Sequence, residues 1–182
     1  MHVGEIGNEE VLVIADDSGH AAVHFPEDTA SRAPLLFKLP MSAWGMDTHS
    51  MKRLVAISCN AYIVTLFHLG MGIEEWDWTT QTPFAGDTYP KLELKGHANN
   101  IPCVSFDRTG LYIVSGSLDT TVRLWDCATG QMLKVFDCEA RYLFLNISFI
   151  LIQGYGLSDL SIRLILSTTR AMRKVSTIRN QK

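Results

Sequence analysis

The sequence predicts an all-β fold assembled from three to four repeated four-stranded units that do not close on one another. Three observations carry that expectation. Short runs rich in valine, isoleucine, tyrosine and threonine recur between turn residues, as pleated, half-buried positions prefer. No apolar period of 3.6 residues persists long enough for a helix. One block, residues 95–136, packs four such runs into 42 residues.

That block, KGHANNIPCVSFDRTGLYIVSGSLDTTVRLWDCATGQMLKVF, divides cleanly. Residues 101–106, 111–115, 121–126 and 131–136 read as strands, and the segments between them carry Asp, Gly, Ser and Thr. Four antiparallel strands in this length make one blade of a β-propeller. Two weaker copies precede it. Residues 9–25 give a strand, a D-D-S-G turn and a second strand, and residues 42–67 repeat the plan with one strand in front. An aromatic residue closes the third strand of each unit: Phe25, Phe67 and Trp125, spaced 42 and 58 residues apart. The first interval is a blade period, and the second is a blade plus an insertion, placed at residues 70–92. Residues 30–40, with Pro34 and Pro40, read as a loop between units.

The expected units are therefore residues 9–40, 42–94 and 95–137 within a region 1–137, followed by residues 138–182. The last segment has two alternatives. In one it is an eroded fourth blade, since Asp159 and Arg163 each fall forty residues after Asp119 and Arg123. In the other it is a basic tail foreign to the propeller, produced by intron read-through or a shifted frame. Three or four blades fall short of the six or seven that commonly close a ring, and the first unit opens in mid-blade at Val11. Exposed blade faces and edges then predict that the isolated chain is marginally soluble or pairs with another chain.

Composition narrows the function classes. The 182 residues are 47% hydrophobic with a net charge of −3 and a pI near 6.0, which gives no global pull toward DNA or anionic membrane. All 19 acidic residues lie at or before Asp159, whereas six of the 16 basic ones follow it, so the charge is segregated. Cys59, Cys103, Cys127 and Cys138 have no C-x-x-C spacing, so neither a zinc site nor a disulfide framework is expected. The first ten residues lack a signal-peptide pattern, and the most apolar run, residues 142–152, is about half a bilayer span. A reducing compartment, nucleus or cytoplasm, fits this usage.

The block resembles the WD-repeat family. Gly96-His97 and Trp125-Asp126, separated by 27 residues, stand where that family has its two signature pairs, with Ser-Gly-Ser-x-Asp between them. The resemblance implies a buried polar chain of Trp125, Ser115, His97 and Asp119. A Ser, His and Asp also evoke a hydrolase triad, but Ser115 would be locked in a strand without a nucleophile elbow. No catalytic residue, cofactor or metal site is expected, and no enzyme. Asp16 and Asp17 form a turn more readily than a metal pair. Arg123 and Lys134 read as solvated, and His20, His24, His49 and His68 show no ligand spacing. Trp76 and Trp78, in the acidic insertion, are candidates for partner binding if both are exposed, and a loop clasp if one packs back.

Three phrases are more specific than W-D itself: GNEEVLVIADDSG, AWGMDTHSMKRLVAISCNAYIVTLF and GHANNIPCVSF. Over roughly residues 3–136 they resemble a fungal WD-repeat family named for constitutive transcription of ribonucleotide reductase genes. That resemblance implies a protein-interaction scaffold regulating transcription, with other proteins as partners, no membrane and no direct nucleic-acid contact. Alternatives are substrate adaptor of a cullin ubiquitin ligase, or nucleic-acid contact through the basic tail. Such adaptors often carry W-D-x-R, and here Cys127-Ala128 follows Trp125-Asp126, which gives the ligase role no support from this blade.

Overall fold

The computed structural model describes residues 1–28, 32–69, 89 and 91–137, together with the backbone of residues 146–152, 161–167 and 174–178. Asp159, Cys138, Trp76 and Trp78 lie outside the described residues. Among those described, the only helical element is one turn of 3-10 helix, Pro26–Asp28, and no helix is long and apolar enough to cross a membrane.

Four antiparallel sheets follow in chain order, and they do not close a ring. The first contains β1 (His2–Ile6), β2 (Glu9–Ala15), β3 (His20–His24) and β4 (Leu35–Lys38). The second contains β5 (Ala43–His49), β6 (Leu54–Cys59), β7 (Ile63–His68) and β8 (Lys91–Lys95). The third contains β9 (Cys103–Phe106), β10 (Tyr112–Gly116), β11 (Thr121–Asp126) and β12 (Met132–Asp137). The fourth contains three described strands, β13 (Asn146–Ile152), β14 (Ser161–Ser167) and β15 (Lys174–Ile178). The first strands of successive sheets, β1, β5, β9 and β13, lie side by side. This is the architecture of a partial propeller.

Three expectations are corrected. The first unit does not open at Val11, because β1 precedes it and pairs with β2 from His2↔Val13 to Ile6↔Glu9. Residues 30–40 are not all loop. Leu35–Lys38 is the outer strand β4, whose Leu35 and Phe37 are buried while Lys38 is exposed. Residues 70–92 overshoot the insertion, since Lys91 and Leu92 belong to β8, where Leu94 is buried between exposed Glu93 and Lys95. Both are four- or five-residue edge strands introduced by a proline, and edge strands tolerate proline where central ones do not.

A fourth correction concerns the aromatic markers. The turns joining the second and third strands place Gly19, Tyr62 and Thr120 at positive φ, of 80°, 62° and 68°. Counting five onward from each gives His24, Phe67 and Trp125, so the first interval is 43 residues and the marker is His24. A slip of one residue in a strand moves a side chain to the other face. Phe25 accordingly lies opposite His24, buried in the slab between the first two sheets beneath the Arg32 guanidinium, 3.3 Å from its ring centroid.

The core consists of two slabs between sheets. One joins Val11, Val13, Val23, Leu35 and Phe37 to Val55, Ile57, Phe67 and Tyr89, with the Phe37 ring 4.4 Å from Phe67 and 5.1 Å from Tyr89. The other joins Leu54, Ala56, Val64, Leu66 and Leu94 to Val104, Phe106, Ile113 and Trp125. The middle sheet contributes to both. All six residues of β6, LVAISC, are consequently buried, which is why that strand reads as a continuous apolar run rather than an alternation.

Inner strands approach too closely for side chains at some points. A Cβ on Gly45 would stand 3.0 Å from Cys103 Cα and from Pro102 O. Ser58 fastens the same place: its hydroxyl accepts the Gly45 N–H at 2.8 Å and donates to Ile101 O at 2.6 Å. Asp47 of β5 accepts from Phe106 N–H of β9 at 2.7 Å and lies 3.5 Å from His2 Nε2 of β1, so it ties three inner strands. Burial pushes the Asp47 carboxyl up, against those bonds. Replacing Ser58 by alanine strands the Gly45 N–H and the Ile101 carbonyl in the slab. The expected cost is about 1–3 kcal/mol, read as a lower urea midpoint at unchanged m-value.

Candidate functional site

The third sheet carries the polar residues that sequence reasoning singled out. In β10 and β11, Ile113 faces Trp125 and Ser115 faces Arg123, so Ser115, Arg123 and Trp125 share one side of the sheet. That side is the one turned toward the second sheet. His97 arrives from the connection after β8, and Asp119 from the tight turn between β10 and β11.

The four side chains form one directed chain. Trp125 Nε1–H donates to Ser115 Oγ at 2.8 Å. Ser115 Oγ and His97 Nε2 are 2.7 Å apart, and His97 Nδ1 and Asp119 Oδ2 are 2.8 Å apart. With a neutral imidazole protonated on Nδ1, every hydrogen has an acceptor: indole to hydroxyl, hydroxyl to Nε2, Nδ1–H to carboxylate. A second proton on Nε2 would leave Ser115 receiving two donors and its own hydrogen displaced. Burial pushes the His97 pKa below its ordinary 6.5, and this outweighs the upward pull of Asp119. Burial alone would raise the Asp119 carboxyl. Hydrogen bonds from the Thr121 hydroxyl, Ala98 N–H, the His97 ring and Thr121 N–H overcome that and hold it well below the carboxylate range.

Sequence reasoning missed the outer members of this network. Thr121 Oγ1 donates to Asp119 Oδ1 at 2.6 Å. Arg123 was expected on a solvated face, and that is corrected: its side chain is 15% exposed, Nε donates to Thr121 Oγ1 at 3.3 Å, and Nη2 lies 3.9 Å from Asp119. The signal was available in strand parity, because Arg123 stands two residues from Trp125 and so on the same face. It also explains Gly96, at φ 153°, where a Cβ would sit 2.4 Å from Arg123 Nη1. Lys134 Nζ lies 5.2 Å from the Phe136 ring.

Chemically this arrangement can brace a sheet and cannot launch a nucleophile. Ser115 is fully buried in a regular strand, and its oxygen is engaged by an indole N–H on one side and an imidazole on the other. Nor does Cys127 supply one, since burial, with Asp107 and Asp126 nearby, pushes its thiol up to about 12. Asp16 uses Oδ1 to accept the Ser18 and His20 N–H groups at 2.8 Å each, a turn closed on its own side chain. Asp17 accepts from Ser42 at 3.3 Å. Among the described residues, no group of three His, Cys, Asp or Glu side chains could hold a metal.

His49 was passed over for want of ligand spacing, yet it is buried and has a defined task. Its Nδ1 accepts Lys52 N–H at 3.2 Å, which leaves Nε2–H to donate to Arg108 O at 3.2 Å in the neighbouring sheet.

Residues 88–126 match the family described as WD domain, G-beta repeat. This chain carries a WD repeat. The matched segment starts just before β8 and ends with β11, so the WD sequence repeat is offset from the structural sheet by one strand. An uncharacterised WD repeat-containing protein of Schizosaccharomyces pombe is 34% identical over 132 residues, covering 72% of this chain and 26% of that protein. A WD40 repeat-containing protein of Dictyostelium discoideum is 30% identical over 135 residues, covering 74% and 18%. A ribosome biogenesis protein BOP1 homolog of Arabidopsis thaliana is 43% identical over 57 residues, covering 31% and 7%. The chain thus spans about a quarter or less of the relatives it matches.

Two predictions test the WD network. In a double-mutant cycle, Ser115→Ala and Trp125→Phe together should cost less than the sum of the single changes by about 0.5–3 kcal/mol, because each alone strands the other's partner. The second concerns pH. His97 has its folded pKa depressed below 6.5, so its contribution is present above 6.5 and is lost as pH falls through that value toward the folded pKa. His68, lowered by burial, acts in the same direction. The melting temperature should therefore fall as pH drops below 6.5, and His97→Gln should flatten part of that slope. An unchanged slope would show that the ring is not held neutral.

Proposed function

We propose that this WD-repeat chain is a protein-interaction scaffold acting in the nucleus or cytoplasm, within a complex that regulates transcription of ribonucleotide reductase genes. The observation that supports a scaffold is the fate of the Ser–His–Asp set. All three side chains are spent on bracing a sheet, so the residues nearest to an active constellation are structural. The transcriptional assignment rests on the three phrases cited above; the WD-repeat proteins that match over more than two thirds of the chain support the scaffold.

A ribosome-assembly complex is the second reading. It draws on the BOP1 homologs, of which the Arabidopsis thaliana protein is alike over 57 residues. The cullin-adaptor reading gains nothing from this repeat, where Asp126 caps its own turn through Ala128 and Thr129 and no arginine follows. Proximity labelling with the full-length gene product separates these readings. Enrichment of transcription factors supports the first, enrichment of pre-ribosomal proteins replaces it with the second, and a return of only background removes the scaffold function itself.

Nucleic-acid contact through residues 160–182 would announce itself in salt dependence. Phosphate contacts release counterions, and 6–10 of them would lower affinity by roughly 10³- to 10⁵-fold between about 50 and 200 mM salt. For a scaffold that meets proteins, DNA binding by the chain should instead stay weak at both salt concentrations, as read by fluorescence anisotropy on a labelled duplex.

A further inference from the structure

The Arg123 guanidinium makes one contact that the bracing of the sheet does not explain. Its Nε donates to Thr121 and its Nη2 lies near Asp119, but Nη1 donates to the Met132 thioether, with Sδ at 3.5 Å. Met132 is 41% exposed and lies on β12, the outer edge of the third sheet. The polar chain that begins at Trp125 therefore runs on past Asp119, through Thr121 and Arg123, and ends on a half-exposed side chain.

A β-bulge creates that contact. Along β11 and β12 the pairing runs Arg123↔Val135, Leu124↔Lys134 and then Trp125↔Met132, which leaves Leu133 as the extra residue. In an unbroken ladder Leu133 would stand opposite Trp125 and Met132 would fall on the other face, because a shift of one residue exchanges faces. The bulge instead turns Met132 onto the side of the sheet that carries Ser115, Arg123 and Trp125. Gly96 leaves the space in which Nη1 meets the sulfur, since a Cβ there would stand 2.4 Å from Nη1. Packing gains little from the arrangement, as the methionine stays half in water.

A thioether is a weak acceptor, and oxidation changes that. With hydrogen peroxide, a sulfur lone pair attacks one peroxide oxygen. The S–O bond forms as the O–O bond breaks, and the thioether is oxidised to the sulfoxide. The departing hydroxide takes the proton of the transferred oxygen and leaves as water, so the peroxide is reduced. The new oxygen is a far better acceptor than sulfur, and a hydrogen bond from a charged donor is roughly twice as strong as a neutral one. Methionine is unbranched with three rotatable bonds, so the oxygen can turn to Nη1, which already stands at hydrogen-bond distance from the sulfur. In a packed core the polar oxide would be disruptive. At this half-exposed edge it keeps its water and gains the guanidinium.

We propose that Met132 is a site of reversible oxidation, at which sulfoxide formation by hydrogen peroxide tightens the Arg123 end of the WD network and fastens β12 to β11. The modification reads out the oxidant through the stability of the third sheet, and it does so independently of what the chain binds. Reduction of the sulfoxide by methionine sulfoxide reductases returns the weaker contact.

The test treats the full chain with limiting hydrogen peroxide, maps sulfoxide by peptide mass spectrometry and records thermal melts. Met51, 83% exposed, is the internal reference for oxidation of a solvent-facing methionine. Sulfoxide is expected at Met132. The change in melting temperature on treatment should be about 2–4 °C more positive in the parent than in Met132→Leu, and methionine sulfoxide reductases should reverse it. Met132→Gln, whose amide oxygen stands in for the sulfoxide, should melt higher than Met132→Leu without peroxide. Arg123→Ala should abolish the gain on oxidation; if that chain does not fold, the two Met132 variants, at a half-exposed edge position, decide alone. The proposal is overturned if Met132 stays reduced while Met51 oxidises, if parent and Met132→Leu shift alike, or if Met132→Gln melts no higher than Met132→Leu.

Discussion

The constraint on which the rest depends is that the middle sheet must be apolar on both sides. A single sheet with one wet face can alternate apolar and polar residues, but β6 has no wet face. Everything placed between neighbouring sheets must then be either hydrocarbon or completely hydrogen-bonded, because an unpaired polar group in such a slab costs about 1–3 kcal/mol. Ser58 satisfies the condition with the Gly45 N–H and the Ile101 carbonyl, and Asp47 does so with the Phe106 and Thr48 amides. The Trp125–Ser115–His97–Asp119 chain satisfies it with four side chains in series.

The sheets show two chemical solutions to one geometric problem. Where the third sheet has Ser115, Asp119 and Trp125, the register of the second places Ile57, Ala61 and Phe67. Those three are buried or packed in the first slab without hydrogen bonding through their side chains. An apolar set is tolerant, since losing one contact leaves the others intact. The polar set is not, because each member is the partner that another requires. The difference explains why the third unit is easy to recognise and the second is not. Selection on a mutually dependent polar chain leaves fixed residue types at fixed spacing, whereas packing accepts anything apolar of suitable volume.

Legibility in the sequence followed that division. The strands of the third unit were placed within one or two residues, since turn residues and signature pairs frame each of them. The outer strands β4 and β8 were hidden. Each offers four or five residues, one buried face and a proline nearby, too short a pattern to separate from a loop. The Phe25 marker failed for a subtler reason. Phe25 and His24 are adjacent, both fit a strand end, and only the left-handed turn residue Gly19 sets the count. Gly96 and Gly45 were present in recognised phrases, but which backbone or guanidinium would press against them is a matter of the neighbouring sheet. Local sequence does not carry that.

This separation of tasks has a consequence for the exposed residues. In the interior the Trp125–Ser115–His97–Asp119 side chains commit their donors and acceptors to one another. The groups that the slabs do not consume lie at strand ends and turns. Tyr62 and Trp44 are of that kind. One occupies a left-handed position better suited to glycine, and the other rides a bulge that interrupts its own ladder. Neither arrangement improves packing, and both point large rigid rings outward. Glycine at position 62, as at Gly19 in the first sheet, would relieve the left-handed turn without disturbing either slab, so the stability of the fold does not account for the tyrosine.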